Sequence, residues 1–174
     1  MLKHPKIVNL YSNYDLNEYV MLFMEYLDNG DLKNFIKNFR NKKGQSNLSE
    51  LLCGHFMIQL LEALYYLKMK NIIHRDIKPD NIMLTSNFDA KLGDFSLSKI
   101  IPENSKYTTS RSGTLPYLAP ECVTKKTELT YQSSFKADVF SLGIVMYFFL
   151  FNSHPFQYKV KIIYLYFLEF YECC

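Results

Sequence analysis

Short runs of β-branched and aromatic residues near the start of the chain predict a β-hairpin. The runs cover residues 7–10 and 18–26, and the polar segment 12–17 between them is predicted to be the turn. Asp28-Asn29-Gly30 ends the second run, and Asp31 follows it as a cap for a short helix that reaches Phe39. Residues 40–47 are polar and basic, which is typical of a solvated loop.

Helical spacing of apolar residues begins after Ser49 and predicts a long helix. Its expected apolar face consists of Leu52, Phe56, Ile58, Leu60, Leu61, Leu64 and Leu67. After Asn71 the pattern changes to short apolar pieces, and Ile82–Leu84 and Ala90–Leu92 are predicted to be two short strands on either side of a turn. Residues 98–135 are mostly polar and predict a long loop that is either functional or disordered, and residues 136–150 predict a buried helix.

The apolar run at residues 139–151 requires a test for membrane insertion. It holds 13 residues, whereas a membrane span needs about 20, so we expect a core helix and no span. The whole chain has 174 residues, 48% hydrophobic content and a net charge of +3, which indicates one soluble globular domain. So mild a charge gives no reason to expect a nucleic-acid partner. The basic segment from Lys33 to Lys43 has Phe35 and Phe39 as its only interleaved aromatic residues, and we expect both to pack inward.

Cysteine spacing indicates free thiols. Cys53, Cys122, Cys173 and Cys174 show neither zinc-site spacing nor good disulfide geometry, which favours a reducing compartment. The first residues contain no apolar signal segment. We therefore expect an intracellular, cytoplasmic location.

Four polar signatures in the middle of the chain carry the candidate chemistry. They are the segment 74–81 (HRDIKPDN), the triplet Asp94-Phe95-Ser96, the segment 113–121 (GTLPYLAPE), and Asp138 at the opening of the predicted buried helix. Any one of them taken alone fits a charged surface turn. The probability that all four occur in this order by coincidence is far less than about one in a hundred.

On these residues the chain, from residue 2 to 156, resembles the eukaryotic protein kinases. The resemblance implies an α+β, protein-kinase-like fold, with part of the small-lobe sheet and an incomplete, mainly helical large lobe. It places the end of the small lobe and the hinge at residues 1–27 and the large lobe at 28–156. Residues 157–174 form a divergent, aromatic-rich tail.

The resemblance also assigns roles in phosphoryl transfer from ATP. Asp76 is the carboxylate that orients the substrate hydroxyl and accepts its proton, and Lys78 is the cation on the γ-phosphate. Asn81 and Asp94 offer the hard oxygen donors that Mg²⁺ prefers. Lysine at position 78 is the choice of the serine/threonine-specific members, so the implied substrates are protein serine and threonine hydroxyls.

A second group of residues would hold the adenosine part of ATP. By resemblance Met24 is the gatekeeper, the backbone of Glu25 and Leu27 bonds the adenine edge, Asp31 meets the ribose, and Met83 packs beneath the ring. For the apolar members of this group, ordinary core packing is the competing interpretation.

Regulatory roles fall on the loop and its anchors. Arg75 could pair with a phosphate on Thr108, Thr109 or Ser110, with Ser110 preferred, after modification by an activating kinase. Thr114 is expected to contact Asp76 and Lys78. The stack and anchor that align the two lobes are assigned by resemblance to His74, Phe95, Leu10 and Asp138.

Three departures from the family pattern lower the expected activity. The chain contains no G-x-G-x-x-G loop and no VAIK-type lysine, Ser96 replaces the usual glycine, and the pattern stops after Phe156. We therefore expect a truncated serine/threonine protein kinase with weak or no activity. The alternative is a pseudokinase-like module that binds protein partners, against which the retention of Asp76, Lys78, Asn81 and Asp94 argues.

Overall fold

The structure is a computed structural model that describes residues 2–43, 48–102, 106–108, 112–123 and 128–156. Along the described chain two strands precede two helices, and a series of short strands then leads to the last two helices; two 3-10 turns lie at Pro79–Asn81 and Leu115–Tyr117. The strands are β1 (Leu10–Asp15), β2 (Val20–Met24), β3 (Ile72–Ile73), β4 (Ile82–Leu84), β5 (Ala90–Leu92), β6 (Lys99–Ile100), β7 (Lys106–Thr108) and β8 (Glu128–Thr130). The helices are α1 (Leu32–Lys43), α2 (Glu50–Met69), α3 (Pro120–Val123) and α4 (Tyr131–Phe151).

The strands form antiparallel pairs: β1 with β2, β3 with β6, β4 with β5, and β7 with β8. Long helices together with small antiparallel ladders confirm the α+β class predicted from the sequence. The strands predicted at Ile82–Leu84 and Ala90–Leu92 are confirmed with those bounds as β4 and β5. Their pairing brings the residues on either side of the hairpin, Asn81 and Gly93, next to each other.

The first hairpin exists, but its predicted bounds were wrong. Strand β1 runs through the segment that was predicted to be the turn, and the connection shrinks to residues 16–19. Polar side chains did not end the strand because its backbone pairs with β2 from Ser12 to Asp15 while its side chains face solvent. All five residues of β2 are exposed as well. In the described part of the protein, both faces of this hairpin are therefore open to solvent.

Both predicted helix starts are confirmed by side-chain caps. The Asp31 carboxylate accepts a hydrogen bond from the Asn34 backbone N–H at 2.8 Å, and the Ser49 hydroxyl accepts one from Leu52 N–H at 3.2 Å. The predicted end of the first helix at Phe39 was wrong, because α1 continues to Lys43. Arg40 explains part of this extension: its guanidinium donates to the Phe149 carbonyl at 2.8 Å, which ties the last turns of α1 to α4.

The main core lies between α2, α4 and the β4–β5 hairpin. Phe56 and Phe149 are fully buried, and their rings meet edge to face with centroids 5.6 Å apart. Phe56, Leu60, Leu64 and Leu67 of the predicted apolar face are buried. Ile58 and Leu61 were assigned to that face wrongly, since they are 61% and 48% exposed. Cys53, Met57 and Ala63 take their places in the core.

Helix α4 is the predicted buried helix, although it begins at Tyr131 rather than near residue 136. Asp138 consequently lies two turns inside the helix and does not open it. By length and composition alone, the segment Ser134–Phe151 could cross a membrane, with a mean hydropathy of 1.5 and 44% of the segment buried. Val145 and Phe149 belong to the same core cluster as α2, so one side of this helix packs in the protein core.

The segment from 98 to 135 was predicted as one long loop and carries more regular structure than that. Its described parts contain β6, β7, the 3-10 turn at Leu115–Tyr117, α3, β8 and the start of α4. Each piece is two to four residues long apart from α4, too short for hydrophobic periodicity to reveal. The tail at residues 157–174 lies outside the described residues, so the domain boundaries remain predictions.

Candidate active site

The catalytic-loop candidate, residues 74–81, connects β3 to β4 and is held in place by Asp138 of α4. One carboxylate oxygen of Asp138 accepts from the His74 backbone N–H at 2.8 Å, and the other accepts from the Arg75 N–H at 2.9 Å. Arg75 has a φ of 72°, in the left-handed region that non-glycine residues seldom occupy. The double anchor therefore holds the loop in a strained conformation immediately before Asp76.

Asp138 is 4% exposed, and burial raises the pKa of its carboxyl group. The positive charge of Arg75, the nearby His74 ring and the two backbone N–H bonds act in the opposite direction. Burial of a charged carboxylate is unfavourable in free energy, and the two hydrogen bonds offset part of this penalty. The contribution of Asp138 is the conformation of the loop rather than net electrostatic stability.

The Asp76 side chain is 7% exposed and lies at the centre of the site. Its Oδ1 accepts from the Thr114 backbone N–H at 2.8 Å and from the Thr114 hydroxyl at 2.7 Å. Its Oδ2 lies 2.7 Å from Lys78 Nζ and accepts from Asn81 Nδ2 at 3.0 Å. Burial by itself would raise the pKa of Asp76, but the bonds from Lys78, Thr114 and Asn81 outweigh burial and lower it. Asp76 is therefore ionised at neutral pH.

Lys78 and Thr114 meet each other as well as Asp76. Lys78 Nζ donates to Thr114 Oγ1 at 2.8 Å, so the expected contacts of Thr114 with both residues are present. A partly buried ammonium group beside a carboxylate is a fixed positive charge at the point where a phosphate would approach. An ammonium has three donors, which leaves capacity for a ligand beyond these two partners.

Asn81 and Asp94, the candidate metal ligands, are brought together by the β4–β5 hairpin. The Gly93 N–H donates to the Asn81 carbonyl at 2.9 Å, and Asp94 comes next in the chain with its side chain exposed. The Asn81 amide nitrogen is committed to the Asp76 carbonyl at 2.8 Å and to the Asp76 carboxylate, which leaves Asn81 Oδ1 as its acceptor for a cation. One amide oxygen and one carboxylate fit a hard ion such as Mg²⁺.

The backbone around Asp94 is also strained, with a φ of 54°. The Asp94 carboxylate accepts from the Ser96 N–H at 3.2 Å, a local turn that holds the triplet. Ser96 itself has no positive φ. In this conformation serine therefore occupies the position usual for glycine without backbone strain, and an effect of Ser96 on switching between conformations remains a hypothesis.

His74 and Phe95, which the resemblance pairs, contact each other edge to face. Their ring centroids lie 4.9 Å apart, with the planes at 65°. The His74 ring is completely buried and has its Nε2 2.9 Å from the Gly93 carbonyl, while Nδ1 accepts from the Asp76 N–H at 3.3 Å. These partners call for a donor at Nε2 and an acceptor at Nδ1. Leu10, the fourth aligned residue, begins β1 opposite Met24.

Residues 112–114 close over the catalytic-loop candidate. The contacts of Thr114 were predicted, whereas the contact of Ser112 and the steric role of Gly113 were not. The Ser112 hydroxyl accepts a hydrogen bond from the Arg75 guanidinium. Gly113 has a φ of 115°, and a Cβ atom there would lie 2.5 Å from the Arg75 carbonyl oxygen, so no other residue fits without movement. Only the glycine was visible as a signal, as the first residue of the GTLPYLAPE segment.

The predicted phosphorylation sites cannot be placed against Arg75. Thr108 belongs to β7, but its side chain lies outside the described residues, as do Thr109 and Ser110. Among the side chains of this loop that the structure describes, Ser112 is the one bonded to Arg75. The role of Arg75 as a phosphate partner remains a prediction.

The hinge candidates lie between the end of β2 and the start of α1, and Met83 lies on β4. Met24 ends β2 and is 53% exposed, whereas Leu27 is buried. Asp31 and Met83 form an isolated antiparallel bridge, so the expected ribose and adenine contacts are neighbours. The Asp31 carboxylate is also engaged in capping, with its second oxygen accepting from Asn34 Nδ2 at 2.7 Å. The structure therefore brings Asp31 and Met83 together, while the roles of all the residues assigned to adenosine stay predictions.

Comparison with known protein families shows to which family this chain belongs. The protein kinase domain model matches residues 1–168. The chain belongs to the protein kinase family. It is 37% identical over 160 residues to an Aurora kinase of Eremothecium gossypii, covering 92% of this chain and 40% of the relative. It is 35% identical over 156 residues to the serine/threonine-protein kinase cds1 of Schizosaccharomyces pombe, covering 89% and 33%.

A third relative, the serine/threonine-protein kinase PLK4 of Xenopus tropicalis, is 35% identical over 156 residues and is covered to 15% of its length. This kinase chain thus spans less than half the length of these three relatives. Membership of the serine/threonine protein kinase family is established, and the recognition from the HRDIKPDN, DFS and GTLPYLAPE segments is confirmed. What the chain itself catalyses is a separate question.

Proposed function

We propose that this kinase site transfers the γ-phosphoryl group of ATP to serine and threonine hydroxyls of protein substrates. The observation that carries the proposal is the Asp76 carboxylate, which is buried, ionised and held by Lys78, Thr114 and Asn81. An exposed surface aspartate would have no reason to be held by three partners, two of which are themselves candidate ligands for nucleotide or metal.

In the proposed reaction the substrate hydroxyl oxygen forms a bond to the γ-phosphorus as the bond to the ADP oxygen breaks. Asp76 orients the hydroxyl and takes its proton. The lowered pKa makes Asp76 a weak base, which suits a transfer in which the proton leaves late. Lys78 stabilises the charge on the transferring group, and bound Mg²⁺ would supply further neutralisation at the oxygens of Asn81 and Asp94.

Substrate choice is proposed to follow from Lys78 and Thr114. Together they close one side of the Asp76 carboxylate through the 2.7 and 2.8 Å contacts. A short serine or threonine side chain would bring the substrate backbone close to this wall. A protein substrate and an activating kinase are the proposed partners, and the relatives' names support the first of these for the family only.

The proposed location is intracellular. Cys53 and Cys122, the cysteines in the described part of the chain, are both free thiols, as proteins of a reducing compartment usually have. Fractionation of cells that express the tagged chain tests this proposal, and recovery of the chain from the culture medium would contradict it.

Radiolabel transfer from ATP with Mg²⁺ to serine, threonine and tyrosine peptides tests the proposed activity. The sequence contains no VAIK-type lysine, so we expect slow transfer by the chain alone, confined to serine and threonine peptides. Asp76→Asn and Lys78→Met should each reduce the rate by about a hundredfold or more.

Matched controls are available elsewhere in the chain. Asp15→Asn on β1 and Lys33→Met on α1 change the same residue types at exposed positions outside the site, and both should leave the rate unchanged. Transfer that survives Asp76→Asn would contradict the proposal. Binding of Mg²⁺–ATP without any transfer would instead support the alternative of an interaction module.

A further inference from the structure

The ladder between β1 and β2 ends in an unusual way at the hinge. Glu25 follows the last paired residue and donates its backbone N–H to the Asn9 carbonyl at 2.9 Å. In a regular antiparallel pair the Asn9 N–H would return the bond to the Glu25 carbonyl. Here the Asn9 N–H donates to the Glu25 carboxylate instead, at 3.1 Å from Oε2. No hydrogen bond among the described residues uses the Glu25 carbonyl.

The Glu25 carboxylate is fixed in this position by Lys91. Lys91 Nζ lies 2.5 Å from Glu25 Oε1, and the two side chains are only 13% and 18% exposed. Burial would raise the pKa of Glu25, but the bonds from Lys91 and Asn9 outweigh it and lower the pKa. A largely buried pair of this kind is less screened than a surface pair, and its carboxylate stays charged at neutral pH.

Lys91 joins the hinge to the strand that leads into the candidate metal site. It lies in β5 opposite Met83 of β4, and Asp94 follows three residues later. The pair is therefore a direct link between the residue expected to meet adenine and the strand that ends at a candidate metal ligand. Sixty-six residues of chain separate its two ends.

We propose that the Glu25–Lys91 ion pair is a positioning device of the nucleotide site, which diverts the Asn9 N–H away from the Glu25 carbonyl and fixes that carbonyl relative to Asp94. The inference rests on the proposed function, because it presumes that a nucleotide binds between hinge and metal site. A carbonyl kept out of the ladder is an acceptor, so it selects a base that presents a donor. Adenine has an exocyclic amine to donate, and hypoxanthine has an oxygen at the same place.

Calorimetric titration with Mg²⁺–ADP and Mg²⁺–IDP separates positioning from simple stability. The unmodified chain should bind ADP more tightly than IDP. In Lys91→Met we expect ADP affinity to fall about tenfold, as when an outer contact that orients a binding group is lost, while IDP affinity changes little. Lys91→Arg should restore the preference for ADP because the cation returns.

Lys33→Met serves as the matched control, since it removes a lysine from the exposed pair with Asp80 and should leave both affinities unchanged. If Lys91→Met does not fold, Glu25→Gln tests the same ion pair. Glutamine keeps an acceptor for the Asn9 N–H but loses the charge that holds Lys91.

An unchanged ratio of ADP to IDP affinity in Lys91→Met or Glu25→Gln would overturn the inference and leave the proposed function standing. Equal losses for both nucleotides, with a lower unfolding temperature, would show a purely structural pair and overturn it too. Failure of the unmodified chain to bind either nucleotide would instead overturn the proposed function, and the inference with it.

Discussion

Removal of one hydroxyl group from Thr114 tests the geometry of the site most directly. Thr114→Val keeps the shape of the side chain and the backbone N–H bond to Asp76. It deletes the 2.7 Å hydroxyl bond to Asp76 Oδ1 and the acceptor that Lys78 Nζ meets at 2.8 Å. Thr114→Ser retains the hydroxyl and is the matched control.

The expected loss of stability follows from the charge of the acceptor. A hydrogen bond to a charged group contributes about 1.5–3 kcal/mol. Thr114 is half-buried, and Lys78 keeps its ion pair with Asp76, so we expect a loss of about 2 kcal/mol at pH 7. With a urea dependence of about 1–3 kcal/mol per molar, the unfolding midpoint should fall by about 1 M.

The same substitution should change the pH dependence of stability. The folded-state pKa of Asp76 is lowered, so its contribution is complete above the unfolded value of about 3.9 and is lost as the pH falls through the folded value. Valine removes one cause of the lowered pKa. The gap between the unmodified chain and Thr114→Val should therefore be full at pH 7 and shrink below about pH 4.

Urea unfolding of the three chains at pH 7 and at intervals down to pH 3 measures both effects. Equal midpoints for Thr114→Val and Thr114→Ser at pH 7 would refute the assigned hydroxyl bond. A gap that stays constant to pH 3 would show that the valine acts through packing and not through the Asp76 carboxylate.

Two further substitutions probe the supports of the site. Asp138→Leu leaves the backbone N–H groups of His74 and Arg75 without their acceptor, at a cost of about 1–3 kcal/mol each, and Asp138→Asn should lose about half as much in urea unfolding; equal losses would contradict a double anchor. Gln59→Leu removes the acceptor of the Ala90 N–H, bonded at 2.5 Å, and should lower stability by about 1–3 kcal/mol. Gln59→Glu keeps that acceptor but places a carboxylate where Gln59 Nε2 donates to Asp89, so its loss in urea unfolding should be larger at pH 7 than at pH 3; a loss independent of pH would contradict the Asp89 contact.

Elements with a local signal could be predicted from the sequence. Ser49 and Asp31 are side-chain caps, and a cap acts on its own helix within three residues, so both starts were found. Errors arose where tertiary contacts decide. Ile58 and Leu61 have the right residue type and nearly the right spacing for the core, yet α2 packs through other residues, among them Cys53, Met57 and Ala63, and leaves the two exposed.

The site shows the same division. The HRDIKPDN and DFS motifs predicted four site residues, and the structure places these close to one another: Asp76, Lys78, Asn81 and Asp94. Ser112 and Lys91 have no motif of their own. Their partners, Arg75 and Glu25, are 37 and 66 residues away, so only the folded chain could reveal these contacts.

The anchoring of the catalytic loop by Asp138 has a consequence for the order of events during synthesis. The ribosome completes the whole HRDIKPDN segment, yet the acceptor for its His74 and Arg75 amides comes 64 and 63 residues later in the chain. Until α4 has emerged and docked, a nascent chain carries every residue of the motif without the conformation that orients Asp76. The timing of translation thus keeps the catalytic loop unassembled until the core beneath it exists.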